Sequence, residues 1–225
     1  MVYWSVVKQA LRLGLSMALV VAASACGADD QRQEAKARPL PEDPQALRPR
    51  TYRSEEFKPS LSFHVGKGWS SSPLEASDIL EITRGQTTGI GFVNTQKVYE
   101  PTKMGTPSVV KAPEDMVGWF QQHPHLKTSK PEPVTVGGVK GVQFDVVVEV
   151  PEDYSGVCGS DCVGLFRLST GLTISLVEGE KLRLIVLEDV KGETVTIGFV
   201  SLATEFDEFA PKAQKVIDTV KWTGS

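Results

Sequence analysis

Two long apolar runs near the carboxyl end place the strongest constraint on the fold. Residues 182–187 and 195–202 are mostly apolar at successive positions, unlike a strand with one face in water. Strands of this kind are covered on both faces, so a sheet built on them needs a layer on each side. The turn at Lys191-Gly192 joins the two runs, and we expect them to pair antiparallel at the centre of a sheet.

Shorter runs predict the remaining strands. In residues 139–150, Phe144, Val146 and Val148 lie on one face and polar residues on the other, as in a half-buried strand. The preceding Gly137-Gly138 is a two-residue hairpin signal. The other strand-like runs are 60–65, 79–83, 89–93 and 134–136.

Two amphipathic segments predict helices that cover the sheet. The first begins at Pro113, with acidic residues in its first turn, and ends before Pro124. The second begins near Thr204, where Asp207 completes a capping-box-like start, and Pro211 should bend it or mark where its main body begins. The predicted fold class is α+β, a three-layer α/β/α sandwich with a mainly antiparallel central sheet, formed by a single globular domain over residues 54–225.

The two ends of this domain resemble Mog1/PsbP-like domains. The motifs are the opening Phe57-x-Pro59-x-Leu61-x-Phe63-x-Val65 with Gly68-Trp69 after it, and the close Phe206-x-x-Phe209-x-Pro211-x-Ala213-x-x-Val216-Ile217-x-Thr219-Val220-x-Trp222. The resemblance spans roughly residues 56–222. It implies the three-layer sandwich and a non-catalytic docking or assembly role. Its matching positions are packing residues, so no binding residue is carried over from the family.

The amino terminus has the features of a bacterial export signal. Lys8 and Arg12 precede apolar and small residues that end in Ala23-Ser24-Ala25-Cys26. This end resembles the lipobox of bacterial lipoproteins, which predicts a signal peptide over residues 1–25 and a lipidated Cys26. Ala23 stands where leucine is usual, so ordinary cleavage after an A-x-A site is an alternative. An uncleaved helix is another, although the 16 uncharged residues before Asp29 fall short of the roughly 20 that a span needs.

The segment after the cysteine predicts a tether. Residues 28–50 carry ten charged residues and four prolines, with Leu40 and Leu47 as the only large apolar side chains. Such a composition buries too little apolar surface to offset its ordering entropy. We therefore expect residues 26–53 to be a lipidated cysteine followed by a disordered tether, long enough to hold the domain up to roughly 70 Å from a membrane.

Charge limits the classes of partner. The chain has 24 basic and 28 acidic residues, and removal of residues 1–25 takes away two basic residues, Lys8 and Arg12, which leaves a net charge of −6. A modestly acidic chain argues against nucleic acid and against electrostatic adsorption to an anionic membrane. The predicted membrane attachment is the lipid anchor, in an extracytoplasmic location.

Cys158 and Cys162 enclose Gly-Ser-Asp and are the most specific motif of the domain. In an oxidising compartment this spacing favours a disulfide that closes a small loop. The alternatives are free thiols and half of a thiolate metal site, for which the sequence has no second cysteine pair. The ring is small, so the bond would shape the loop more than it would stabilise the fold.

Aromatic and histidine residues provide the other candidate sites. Trp119 and Phe120 on the first helix, with Trp69, form a candidate apolar binding surface, although core packing is the alternative for all three. His123-Pro124-His125 places two imidazoles close together without an obvious third metal ligand. Residues 99–112 have no clear period and are long for a connection, which is typical of functional or disordered loops.

No catalytic constellation is evident. The sequence lacks a G-x-S-x-G elbow, a phosphate-binding loop, a dinucleotide fingerprint and a Ca²⁺ loop. We predict no catalytic activity, no cofactor and no metal. The leading hypothesis is a lipid-anchored binding or assembly module that contacts another cell-envelope protein. The alternative is a carrier of an apolar small molecule or lipid, held between the sheet and the Trp119 helix; an unfamiliar enzyme is a third possibility.

Overall fold

The computed structural model of the chain describes residues 37–102 and 107–223. The predicted signal peptide over residues 1–25 and the predicted lipidation at Cys26 lie outside these residues. The described elements are, in chain order, β1 (Arg38–Pro39), β2 (Arg50–Arg53), β3 (Leu61–Val65), β4 (Ser70–Ala76), β5 (Ile79–Thr83), β6 (Gly89–Asn94), β7 (Lys97–Tyr99), β8 (Val109–Lys111), α1 (Met116–Gln121), β9 (Leu126–Thr128), β10 (Glu132–Val136), β11 (Val139–Val148), β12 (Cys162–Arg167), β13 (Thr173–Val177), β14 (Glu180–Val190), β15 (Glu193–Leu202), α2 (Phe206–Ile217) and β16 (Lys221–Trp222).

A large antiparallel sheet forms the centre of the fold. Its strand order is β10-β11-β14-β15-β6-β5-β4, and β9 pairs with β11. The two apolar runs of the sequence are β14 and β15, which pair antiparallel from Leu182↔Val200 to Leu187↔Val195. Lys191 and Gly192 form the turn between them, both with positive φ (58° and 87°). The predicted central pair and its turn are confirmed.

The central sheet is buried on both faces by two separate apolar clusters. On β14, Ile185 and Leu187 belong to the first cluster, and Leu184 and Val186 belong to the second. This division follows the alternation of side chains along a strand. The requirement for a layer on each face, inferred from the apolar runs, is therefore met.

The two covering layers are richer in strands than the sequence predicts. The first layer contains α2 and the sheet β1-β2-β3-β16; the second contains α1 and the sheet β13-β12-β7-β8. The α+β class and the mainly antiparallel sheet hold, but the α/β/α description is not confirmed. α1 has only six residues, too few to cover a sheet face, and short strands cover the remainder.

Both helices begin later than the sequence predicts. α1 begins at Met116, after Asp115, whose side chain accepts a hydrogen bond from the Gly118 backbone N–H at 2.7 Å. This is an N-cap, and it displaces the predicted start at Pro113. α2 begins at Phe206 after Glu205, which makes no side-chain cap bond, and Pro211 is accommodated inside the helix.

Residues 37–53 belong to the fold, so the tether prediction is wrong for this described part of the segment. Leu40, Leu47 and Tyr52 are buried in the first cluster. The Leu47 N–H donates to the Trp69 carbonyl at 2.8 Å, and Ala46 forms a bridge with Ser70 at the edge strand β4. The composition of this segment did not predict its packing, because a few buried apolar side chains and backbone pairing are enough to order an otherwise polar segment.

The predicted hairpin at Gly137-Gly138 is confirmed and has a structural partner. Both glycines have positive φ (57° and 85°), the geometry that a two-residue turn requires. A Cβ at Gly137 would lie 2.7 Å from Trp222 Cδ1. The Trp222 indole N–H donates to the Val136 carbonyl at 3.0 Å, so this turn connects the central sheet to the carboxyl end of the chain.

In the part of the chain that the structure describes, no helix has the length and apolarity needed to cross a membrane.

Substitution of Leu47 tests whether the amino-terminal segment belongs to the domain. We expect Leu47→Ala to lower the free energy of unfolding by about 2–3 kcal/mol, because it removes a buried side chain and leaves a cavity. The exposed neighbour Arg48 supplies the matched control, and Arg48→Ala should change stability by less than about 0.5 kcal/mol. Urea unfolding followed by tryptophan fluorescence measures both; equal effects would show that the segment is not packed in solution.

Candidate functional site

The predicted aromatic surface is not a surface. Trp69 is 2 % exposed in the first cluster and packs against Phe209 with ring centroids 6.1 Å apart. Phe120 is fully buried in the second cluster, 5.7 Å from Phe144 and 6.0 Å from Phe166. The central sheet separates the two clusters. Trp69 and Phe120 are core residues that the structure does not bring together.

Trp119 occupies the edge of the second cluster. It is partly buried, and its ring contacts Phe120 at 4.7 Å and His123 at 5.3 Å between centroids. The indole Nε1 is buried and has no hydrogen-bond partner among the described residues. The space that a carrier would use between the sheet and the Trp119 helix is occupied by the rings of Phe120, Phe144 and Phe166. The carrier hypothesis gains no support from this region.

The two neighbouring histidines lie together and are both buried. His123 and His125 have ring centroids 6.0 Å apart. His123 Nδ1 accepts from the His125 backbone N–H at 3.2 Å, which assigns the proton of a neutral His123 to Nε2. His125 Nε2 lies 2.9 Å from the Thr102 carbonyl, and its ring stacks on Tyr154 at 4.5 Å.

This histidine pair has no further metal ligand. Among the described residues no group of three metal-ligating side chains occurs. Burial lowers the pKa of His123 to about 4, with a smaller contribution from repulsion by His125. A neutral, buried imidazole that bonds to a neighbouring backbone is a packing residue. The third histidine, His64 on β3, is exposed.

Cys158 and Cys162 are bonded to each other, with their Cα atoms 5.9 Å apart. The bond closes the loop that leads into β12. Gly159 in this loop pairs with Gly156, which precedes it. The Glu178 N–H donates to the Asp161 carbonyl at 2.7 Å, which holds the loop to the end of β13. The predicted disulfide pairing therefore agrees with the structure, and it shapes a loop of the second layer.

A small apolar cavity lies between the central sheet and the second layer. Gly91 on β6 and Gly198 on β15 are directly opposite in the register, and the missing side chains leave the space. Leu165, Phe166 and Ile174 close it from the other side. Its volume is about 30 Å³, enough for a water molecule and far below the roughly 300 Å³ of ordinary ligand pockets. It is a packing feature.

A buried carboxyl group belongs to the same row of the sheet. Glu81 is opposite Gly91 in the pairing of β5 with β6, and it is 5 % exposed. Its only described hydrogen bond comes from the Ser72 hydroxyl, which donates to Oε2. Burial raises the pKa of Glu81 to about 7, and the Ser72 bond opposes this shift. Sequence reasoning missed Glu81, because a single acid within a strand is ordinarily solvent-exposed.

A wide open groove runs along β8 in the described part of the chain, and we call it the β8 groove. It has a volume of about 770 Å³. Its walls are residues 95–97, β8 with residues 112–114, and the turn residues 192–194 between β14 and β15. Val109 and Val110 are 43 % and 37 % exposed, and with Leu202 they form the set of exposed large apolar side chains among the described residues.

The β8 groove falls in the segment that the sequence marked as a long loop. Residues 99–112 contain the end of β7 and the whole of β8, which pair as an antiparallel hairpin through Val98↔Val110. Tyr99 anchors this hairpin, because its hydroxyl lies 2.7 Å from Thr173 Oγ1. Among the described residues of this segment, Tyr99 and Val109–Lys111 are strand, and residues 100–102, 107–108 and 112 are irregular, so the loop prediction holds for part of it.

The comparisons with known proteins find similarity in three-dimensional structure and none in sequence. No family model matches it, and no curated protein matches it in sequence. The solution structure of PsbP (CyanoP) from Synechocystis sp. PCC 6803 is similar with a TM-score of 0.41 and 9 % identity, over 77 % of this chain and 92 % of that chain. A PsbP protein, from the family that the sequence motifs resemble, is thus among the solved structures to which the chain is similar.

A second solved structure is similar over a comparable length. LpqN, involved in cell envelope biogenesis of Mycobacterium tuberculosis, has a TM-score of 0.36 and 11 % identity, over 81 % of this chain and 91 % of that chain.

Acid should destabilise the protein through His123. Its folded pKa of about 4 lies below the ordinary 6.5, so the unfolded chain binds the proton first. The free energy of unfolding therefore falls as the pH drops from about 6.5 to about 4. We expect this fall to be smaller in His123→Gln, by up to about 3 kcal/mol. Urea unfolding across this pH range measures it. His64→Gln, at an exposed position, should retain the wild-type profile, and identical profiles for all three proteins would contradict the assignment.

Glu81 should have the opposite effect on the pH dependence of stability, because its contribution falls as the pH rises. Its folded pKa of about 7 lies above the ordinary 4.5, so the folded state holds a proton that the unfolded state has lost. Its contribution to stability is present below about pH 4.5 and is lost as the pH rises through about 7. Above that pH, Glu81→Gln should be more stable than the wild type, by up to about 3 kcal/mol. Thermal unfolding at about pH 8 tests this, with exposed Glu152→Gln as the control that should show no gain.

Proposed function

We propose that this chain is a lipid-anchored, extracytoplasmic binding or assembly module without catalytic activity, and that it contacts an envelope protein through the β8 groove. The proposal is based on the observation that the amino-terminal segment and the open groove lie in different layers of the two that cover the central sheet. The amino-terminal segment enters through the first layer. The open groove lies in the second.

Hydrogen bonds hold the first described residues of the amino-terminal segment to the first layer. The Arg53 guanidinium donates to the Ala37 carbonyl at 2.5 Å, and the Leu40 N–H donates to the Arg53 carbonyl at 3.0 Å. The parallel pairing of β1 with β2 holds the same stretch in register. The chain is therefore attached to the first layer from Ala37 onward.

This attachment shortens the reach of the anchor. Only residues 27–36 separate Cys26 from Ala37. A fully extended chain covers at most about 3.3–3.6 Å per residue, so these residues can span no more than roughly 35–40 Å. A lipid on Cys26 would hold the domain at about half the distance expected from a tether that continues to residue 53. A module held this close would act on components at the membrane surface.

The β8 groove has the characteristics of a contact surface rather than of a reaction site. Its side chains are exposed valines, lysines and glutamates, and none of the groups with a strongly shifted pKa lines it. Catalytic sites ordinarily combine a cleft with titratable groups whose pKa values are perturbed. Here Glu81 and His123 are buried and do not line the groove.

Membrane partition tests the anchor. Full-length protein expressed in a bacterial host should enter the detergent phase of a Triton X-114 separation, because two or more acyl chains give stable membrane attachment. Cys26→Ser should move to the aqueous phase, and Ser24→Ala, which keeps a small residue before the cysteine, should remain with the detergent. Wild-type protein in the aqueous phase would contradict lipid anchoring.

Site-specific cross-linking in the same cells tests the contact surface. A photoreactive residue at Val110 should give a reproducible protein adduct, whereas the same residue at exposed Lys140, on the β10-β11 hairpin and outside the lining of the groove, should not. An adduct from both positions, or from neither, would contradict a contact through the β8 groove.

A further inference from the structure

We infer that β8 is a docking edge for an extended acidic segment of a protein partner, which pairs with it as a fifth strand of the sheet β13-β12-β7-β8. This inference deepens the proposed function, and it rests on the proposed contact through the β8 groove. It is carried by two features of β8 that are independent of each other: the direction of its backbone groups and the charges on its outer face.

The backbone of β8 presents unpaired groups to the groove. The Glu100 N–H donates to the Ser108 carbonyl at 2.8 Å, and the Ala112 N–H donates to the Gln96 carbonyl at 2.9 Å. Because hydrogen-bonded pairs alternate along an antiparallel ladder, Val98↔Val110 is the next bonded pair. The N–H and C=O groups of Val109 and Lys111 therefore point away from β7, and no described residue bonds to them.

An edge of this kind selects the shape of its occupant. Unpaired N–H and C=O groups along a strand are a template for another extended chain, the arrangement known as β-augmentation. The opposite wall, residues 192–194, leaves an open channel beside β8. Exposed Val109 and Val110 add apolar contact on the two faces of the added strand. An extended peptide therefore fits the groove better than a helix or a rounded small molecule.

The charged side chains on β8 and its neighbouring strands indicate which kind of segment would bind there. Lys97 is directly opposite Lys111 in the hairpin, and the pairing of Phe166 with Val98 places Arg167 next to Lys97 on the neighbouring strand. All three side chains are exposed and lie on the outer face, since Val98 between them is buried towards the central sheet. A row of three cations crosses this sheet and ends at its open edge. The two acidic residues that line the groove, Glu114 after β8 and Glu193 on the opposite wall, lie outside this row.

These cations lack acidic partners within the described residues. Arg167 bonds to the hydroxyls of Tyr99 and Thr173, and neither Lys97 nor Lys111 forms an ion pair there. Like charges directly opposite on a sheet destabilise it. A partner residue opposite Lys111 would be the next position of the row, and an aspartate or glutamate there would relieve the repulsion.

A second copy of this chain is a poorer occupant. Pairing β8 with β8 would bring two more lysines, Lys97 and Lys111 of the second copy, to the same face. Lysine on an edge strand is a common device against such self-association. The same charge that disfavours self-pairing favours an acidic strand from another protein.

A displayed library of random eight-residue peptides tests the inference with the full-length protein in detergent micelles. We expect enriched peptides to carry aspartate or glutamate at alternate positions, with apolar or β-branched residues between them. A synthetic peptide of the enriched sequence should bind in fluorescence anisotropy, and its counterpart with lysine at the acidic positions should not. Failure to enrich any peptide, or enrichment without acidic residues, would overturn the inference.

Two pairs of variants connect that binding to β8. Val109→Pro removes an outward N–H that the hairpin does not use, and it should weaken the acidic peptide by at least about tenfold, whereas Val109→Thr keeps that N–H and should change affinity by less than about threefold. Lys111→Glu should weaken binding by a similar factor, and Lys67→Glu, the same charge change at a distant turn, should not.

The outcomes separate the inference from the proposed function. Unchanged affinity in both Val109→Pro and Lys111→Glu would overturn the docking edge. Thermal unfolding shows whether each variant remains folded, and if Val109→Pro does not, Lys111→Glu decides. If Val110 gives an adduct in cells but the protein binds no acidic peptide, the contact surface is supported and the acidic strand is refuted. If the protein binds the peptide but gives no adduct in cells, the proposed function is refuted.

Discussion

The structure depends on the burial of β14 and β15 on both faces. Side chains such as Ile185 and Leu184 alternate between two apolar clusters, and each fully buried aliphatic side chain contributes about 1.5–3 kcal/mol. A sheet with this property is stable only between two covers. The surrounding elements supply those covers, which explains why short strands, a six-residue helix and the amino-terminal segment are all recruited to the domain.

The two covers differ in their polar content, and the difference has consequences for stability. The buried imidazole of His123 contacts Trp119 at the edge of the second cluster, and Glu81 is a buried carboxyl group whose pKa is raised. Between about pH 4.5 and 6.5 these two groups change the free energy of unfolding in opposite directions, so their effects largely cancel.

The two sides of the central sheet also differ in whether an edge strand is covered by the chain itself. In the first, residues 45–47 close the edge of the central sheet at β4, so a potential pairing site is occupied by the chain itself. In the second, β8 ends the small sheet without such a cover from any described residue. Because β4 is covered in this way and β8 is not, strand pairing with another chain is favoured at β8 over β4, which is the physical basis for the proposed contact through the β8 groove.

The sequence by itself determined the central pair, the Gly137-Gly138 turn, the need for two covers and the pairing of Cys158 with Cys162, because these depend on local periodicity or on short separations along the chain. Only the tertiary structure decided that Trp69 and Phe120 are core residues in different clusters, that Leu40 and Leu47 fix the amino-terminal segment, and that Lys97, Lys111 and Arg167 form one row at an open edge. Each of these depends on which distant strands become neighbours. That choice follows from the packing of the whole domain, which no local pattern encodes.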